Sequence, residues 1–263
     1  MNILMAADKG ALSGVELVVY STMAHNKNVN WYIFTMTISC PIEGQQRSFL
    51  ELDKDDEAWL KKIVKYHDSN SNLKVINVAE WYAKYLENNP NRESAFTPFT
   101  TLRLLADLVL PNVHDLLYLD CDVVVQKSLE DMYYGYLKNG KPYYAYSIPE
   151  ACDWESEMVA GVLLFDLNKI REIGFLAKAR ENINKHVYKF PDQMALRDAG
   201  DPYPLQETYN YMFSLWKCSY TPHIIHFTNE IGGKIYHDGK TVFYRKFSQF
   251  KYIEDGLNLI KSI

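Results

Sequence analysis

The chain has no two cysteines close enough for a C-x-x-C pair. Its four, Cys40, Cys121, Cys152 and Cys218, are scattered over 263 residues. That spacing excludes a small zinc module and a dense disulfide framework, and fits reduced thiols. No run of roughly 18 apolar residues occurs, so no transmembrane helix is predicted. A cationic, apolar leader is missing as well, because Asn2-Ile3-Leu4-Met5 already reads as a strand. Positive charge is not in excess: the net charge is -5, which disfavours long-range attraction of a polyanion and makes nucleic acid an unexpected partner. Internal repeats and low-complexity linkers are also absent. Together these absences predict one cytoplasmic domain, peripheral to a membrane at most.

Apolar and aromatic side chains are plentiful. A hydrophobic content of 48% suits a sizeable core, and aromatics at 14%, led by 20 tyrosines, suit a ligand cleft with flat, partly polar walls. Tyr143, Tyr144, Tyr146, Trp154 and the segment from Tyr203 to Trp216 are candidates for such a wall or for ordinary core.

The chain alternates strand and helix patterns. Asn2 to Ala7 reads as a strand, Gly14 to Asn26 as a helix with Val15, Val18, Val19 and Met23 on one face, and Trp31 to Ile38 as a second strand. Such a βαβ unit implies a parallel sheet with a right-handed crossover. Asp55 or Asp56 is placed to cap a helix carrying Trp59, Leu60, Ile63, Val64 and His67. Leu73 to Val78 follows as a strand and Ala79 to Leu86 as a short helix. Phe99 to Leu110 is an apolar helix with Arg103 and Asp107 at i, i+4. Pro142 to Ile148 and Val159 to Leu167 read as strands, Asn168 to Lys185 as one helix, Pro191 as the start of another, and His223 to Phe227 as a last strand. The rest, beyond Gly200, is irregular.

The centre of this pattern is Asp115 to Val125, DLLYLDCDVVV. The apolar residues on either side suit a strand buried on both faces, where two carboxylates are costly unless paired. In extended chain, residues i and i+2 point the same way, so Asp120 and Asp122 can converge on one divalent cation. In open α/β sheets ligands bind where strands end. Two other readings fit the pair: helix caps or partners of basic residues, and the nucleophile motif of a haloacid-dehalogenase-type phosphatase. That phosphatase motif usually opens its fold, whereas here it comes late.

Seven landmarks in order give the chain a resemblance. They are Asn2-Ile3 through Ala7-Asp8, Tyr20-Ser21, Leu102 to Asp107, Leu117 to Asp122, Ala160 to Asp166, Pro191-Asp192-Gln193 and Ile225-His226-Phe227. In this it is similar to the glycosyltransferases of family 8, which include bacterial lipopolysaccharide α-galactosyl- and α-glucosyltransferases and, more distantly, glycogenin. The resemblance runs to about Gly239. It implies a GT-A fold: α/β, Rossmann-like, with a mostly parallel central sheet, flanking helices and an irregular C-terminal part. Residues 1–240 would form that domain and 241–263 an extension. It also implies a retaining transfer of galactose or glucose from a UDP-sugar to a glycan acceptor in bacterial surface polysaccharide or lipopolysaccharide synthesis.

The resemblance assigns roles residue by residue. Asp120, Asp122 and His226 would hold Mn²⁺, or Mg²⁺, with Lys234 sharing the diphosphate charge. Ala7, Asp8, Arg103 and Cys121 would contact the nucleotide and donor sugar, and Asp192 and Gln193 would lie beside the transferred hexose. Asp8 is equally a helix N-cap candidate, Arg103 a partner for Asp107, and His226 a packed core histidine. The chain departs from the family at Gly10 and Ala11, where an Asn-Tyr pair is usual, at Val159, where Asn is usual, and around Lys234, whose loop is longer and lacks Pro-Trp. A catalytically silent nucleotide-sugar-binding subunit is the alternative these departures keep open. Tyr244 to Tyr252 interleaves basic and aromatic residues, as either a contact with a membrane carrying a lipid-linked acceptor or a snorkelling surface helix.

Overall fold

The computed structural model describes residues 1–147, 158–212, 220–227 and 250–263. The N-terminal half repeats the strand–helix alternation: β1 (Asn2–Ala6), α1 (Leu12–Met23), β2 (Asn30–Thr35), a hairpin β3 (Ile38–Ile42) and β4 (Gln45–Phe49), α2 (Lys54–His67), β5 (Asn72–Asn77) and α3 (Ala79–Tyr85). Then come a 3₁₀ segment (Pro98–Leu105), α4 (Ala106–Val109), β6 (Asp115–Leu119), β7 (Val123–Val125), α5 (Glu130–Leu137), β8 (Tyr143–Ser147) and β9 (Met158–Asp166). The chain continues through α6 (Leu167–Ile173), α7 (Phe175–Lys185), α8 (Pro191–Ala199), β10 (Tyr203–Pro204), β11 (Tyr211–Met212), β12 (Ile224–His226) and α9 (Lys251–Ser262).

Seven strands form the central sheet in the order β10-β8-β9-β6-β1-β2-β5. Every neighbouring pair is parallel except those made by β9, which runs antiparallel to both β6 and β8. Strand alternation divides the core. Ile3 and Met5 of β1 face one apolar layer with α1 and α2, while Leu4 and Ala6 face the other with the 3₁₀ segment, α6, α7 and α8. A second sheet, β11-β12-β7, stands at the end of the first. Tyr143, Tyr144 and Tyr146 are buried, so these three are core. Trp154 and residues 213–216 lie outside the described residues.

Several boundaries differ from the sequence expectation, each for a physical reason. The stretch from Asp115 to Val125 is two strands, not one. The chain turns at Cys121–Asp122, and β7 leaves the central sheet to pair antiparallel with β12. The cap of α2 is Asp53, whose carboxylate accepts from the Asp55 and Asp56 amides while Asp56 returns a bond to the Asp53 amide. The expected helix from Phe99 to Leu110 is mostly 3₁₀. Thr100 Oγ1, Thr101 Oγ1 and Arg103 Nε all donate to carbonyls three residues back, which favours the tighter winding. The helix expected over Asn168 to Lys185 is broken by Gly174, which sits at φ 66°, a conformation glycine adopts without a steric penalty. The hairpin β3–β4 and helix α9 stand where no element was expected. Helix α9 packs on α1 and α2, with Ile253, Leu257 and Ile260 in the same core layer.

Candidate active site

The site lies where β1 and β6 end. After β6 the Asp120 amide donates to Gly161 O on β9 (2.8 Å), and the Phe227 amide after β12 donates to Asp122 O (2.9 Å). These two backbone bonds fasten the Asp-Cys-Asp turn between the two sheets. Cys121 Sγ lies 3.4 Å from Ala6 O, so the turn is also tied to the end of β1. Burial, with the carboxylates of Asp120 and Asp122 nearby, pushes the Cys121 thiol well up, so it is held as a neutral thiol.

Asp120, Asp122 and His226 converge. One ligand atom from each lies within 4.8 Å of the others. His226 Nε2 is 3.2 Å from Asp122 Oδ1 and 4.0 Å from Asp120 Oδ2. Burial pulls the His226 imidazole down, but the charges and hydrogen bond of the two aspartates outweigh it, so it lies above the ordinary histidine value. The ring occupies space that a side chain at position 161 would need. A Cβ on Gly161 would lie 2.0 Å from His226 Cε1. The other ring nitrogen, Nδ1, is 2.9 Å from Asn210 Oδ1. This donor set, two carboxylates and one imidazole without a thiolate directed at it, fits a hard or borderline divalent cation such as Mn²⁺ or Mg²⁺.

Arg103 joins this triad to the predicted sugar-side pair. It is buried, and its guanidinium stacks 3.9 Å from the centre of the Tyr118 ring. Nη2 donates to Asp120 Oδ1 at 2.7 Å, Nε lies 3.2 Å from Asp192 Oδ2, and Nη1 donates to Ala160 O. Tyr118 O–H donates to the same Asp120 oxygen at 2.8 Å. One oxygen of Asp120 is thereby engaged, leaving Oδ2 on the His226 side. Burial raises the Asp192 carboxyl, the Asp120 charge adds to this, and Arg103 opposes them. Arg103 does not pair with Asp107 as the i, i+4 spacing allowed. Asp107 instead binds Arg180 at 2.6 Å.

The remaining predicted residues are placed as follows. Gln193 Oε1 accepts from the Ala160 amide at 3.2 Å, beside the Arg103 contact with the same residue's carbonyl. Asp8 caps the short 3₁₀ turn of Lys9–Ala11, accepting from the Gly10 amide at 3.2 Å, and burial raises its carboxyl. Ala7 is buried, with its amide donating to Phe34 O. Lys234 lies outside the described residues, as does most of Tyr244 to Tyr252. Sequence reasoning missed Tyr118 and Asn210. Tyr118 was legible, since it precedes Asp120 by two positions on one strand face. Asn210 carried no local signal, because it comes from irregular chain on the far side of the site.

A twisted, mostly parallel sheet with a carboxylate–imidazole cluster at its strand ends is the GT-A architecture. It matches the galactosyltransferase LgtC, solved in complex with donor and acceptor sugar analogues, at a TM-score of 0.65 over 97% of this chain and 96% of that one, with 17% identity. The glycosyltransferase GlyE of Streptococcus pneumoniae matches at 0.61 over 86% of this chain and 54% of that one, with 18% identity. The profile of glycosyl transferase family 8 covers residues 2–234, so the chain belongs to that family of glycosyltransferases. The human and bovine proteins called glycosyltransferase 8 domain-containing protein 1 are 26% and 25% identical to it over 185 and 189 residues, 70% of this chain. The chain spans 44% of the length of those relatives. Family membership sets the phosphatase reading aside.

Proposed function

We propose that this glycosyltransferase moves galactose or glucose from a UDP-sugar to a glycan acceptor, with retention at the anomeric carbon and dependence on Mn²⁺ or Mg²⁺. The convergence of Asp120, Asp122 and His226 carries this reading. A bound divalent ion would supply Lewis-acid neutralisation of charge on the departing diphosphate. Arg103 fixes one Asp120 oxygen and shares its charge with Asp192, so the acidic site is balanced on its sugar side. Asp192 accepts from hydroxyls of the donor hexose. Gln193, an amide anchored on the Ala160 N–H, is a poor nucleophile, which favours front-face displacement over a covalent glycosyl intermediate. In that route the acceptor hydroxyl enters on the face the diphosphate leaves, and its proton passes to the leaving phosphate. Asp8 would accept from the uracil N–H while capping its turn, with Ala7 and Cys121 lining the nucleotide and Lys234 meeting the diphosphate.

A lipopolysaccharide or surface-polysaccharide acceptor and a cytoplasmic location follow from the resemblance to bacterial members. Among the described residues no helix is long and apolar enough to cross a membrane. Peripheral contact through Tyr244 to Tyr252 and a division into residues 1–240 and 241–263 belong to the same proposal. Calorimetric titration of UDP-galactose, UDP-glucose and their N-acetyl forms, with and without Mn²⁺, tests it. One UDP-hexose should bind only with metal, and Asp122→Ala should remove that binding. Equal binding with chelator present, or to the variant, would overturn the metal role. Binding without any transfer or hydrolysis would favour the silent-subunit reading instead.

A further inference from the structure

The side chain of Asn210 has no solvent exposure, and both ends of its amide are engaged. Its Nδ2 lies 3.1 Å from the carbonyl oxygen of Val159 on β9, and its Oδ1 lies 2.9 Å from His226 Nδ1. A carbonyl oxygen can only accept a hydrogen bond, so the amide must present its N–H group to Val159. The opposite orientation would set two acceptors against each other in a buried place, which is unfavourable. The other end of the amide is therefore its oxygen, also an acceptor. The ring nitrogen facing it must then carry hydrogen.

From this chain of donors and acceptors we infer that Asn210 is a positioning residue, which holds neutral His226 in the Nδ1–H form and so presents the lone pair of Nε2 to a divalent cation between Asp120 and Asp122. The inference rests on the metal site proposed above. Three strands from different parts of the chain supply the parts. β9 gives the Val159 carbonyl and the side-chain-free space at Gly161, Asn210 directly precedes β11, and β12 carries His226. The imidazole is thus held at Nδ1 by Asn210 and turns Nε2 toward the carboxylates of Asp122 (3.2 Å) and Asp120 (4.0 Å), the arrangement by which outer partners orient a metal-binding histidine. Position 159 bears valine, and the asparagine beside it comes from elsewhere in the chain, with one end of its amide on Val159 and the other on His226.

The test uses the whole chain, ¹⁵N-labelled at histidine, at a pH where the His226 ring is neutral. Long-range ¹H–¹⁵N spectra should show the Nδ1–H tautomer in the wild-type protein, and an Nε2–H tautomer there overturns the inference before any variant is made. Asn210→Leu removes the acceptor at nearly constant volume, while Asn210→Asp keeps it. The leucine variant should lose the single tautomer and bind Mn²⁺ roughly 10- to 100-fold more weakly by calorimetry, with the aspartate variant restoring the Nδ1–H form. Unchanged tautomer and unchanged Mn²⁺ affinity in Asn210→Leu would overturn the assignment. If wild-type protein shows the Nδ1–H form yet takes up no Mn²⁺, the metal proposal fails while the positioning of the ring by Asn210 stands.

Discussion

Gly161 and His226 occupy each other's space. With a Cβ 2.0 Å from the ring, Gly161→Ala must push the imidazole or the strand aside, and backbone at β9 cannot move cheaply. The expected outcome is a loss of Mn²⁺ affinity of at least about tenfold, read by calorimetry, with the fold retained by circular dichroism. Arg103 is the second decisive side chain. Its removal leaves Asp120 and Asp192 close together without their cation. Arg103→Ala should lower stability by about 3 kcal/mol in urea denaturation, the usual penalty for stranding a buried charge. A loss under about 1 kcal/mol would show that water replaces the guanidinium freely. The residue types of this network were legible beforehand, because Asp, Arg and His amid apolar chain require partners. Which partner each takes was not. Arg103 had Asp107 within helical reach and chose Asp120 and Asp192, because the 3₁₀ winding of Pro98–Leu105 removes the i, i+4 geometry on which that pairing depended.

Elements were legible wherever periodicity ran unbroken. β1, β2, β5, α1 and α2 fall within a few residues of where apolar spacing puts them, since short-range sterics and one buried face determine such pieces. Elements failed where a turn interrupts the pattern. Glu43 and Gly44, at φ 48° and 76°, fold β3 onto β4, and β4, Gln45–Phe49, is too polar to declare itself as strand. Helix α9 is a different case. Its Ile253, Leu257 and Ile260, at i, i+4 and i+7, do form a helical apolar face that the sequence reading passed over, and α1 and α2 offer the surface that receives it. Ile253 is fully buried there. Ile253→Ala should therefore cost about 2–4 kcal/mol, as for other buried isoleucine truncations, measured as a shift in the denaturation midpoint. A near-zero effect would mean that α9 is detached in solution.

Across the whole molecule, metal binding, protonation and stability are linked. In the metal-free protein the charges of Asp122 and Asp120 hold His226 above the ordinary histidine value, so below its titration a cation must displace a proton from it. Affinity for Mn²⁺ should fall by roughly tenfold per pH unit once the ring is protonated. Binding to the folded state alone raises stability, by about 2.7 kcal/mol at a hundred times Kd. Adding Mn²⁺ should accordingly raise Tm at pH values above the His226 titration, and the rise should shrink as pH is lowered through it. Differential scanning calorimetry of wild type and Asp122→Ala checks this, and a rise independent of pH or unchanged in the variant would remove His226 or Asp122 from the ligand set.

The sequence by itself determined the α/β alternation, the parallel N-terminal half and the residue types of the site, because these depend on periodicity and on side-chain chemistry within a few positions. Tertiary structure alone decided how the site is assembled. Asp120 and Asp122 meet through a turn that hands the chain from the central sheet to β7, rather than through strand alternation. His226 joins them because β12 pairs with β7, Gly161 on β9 leaves its ring room, and Asn210 engages the ring nitrogen on the other side. Apart from the Asp-Cys-Asp turn itself, these meetings join residues 16 or more positions apart. They are settled by sheet pairing and close packing, which no local pattern in the chain encodes.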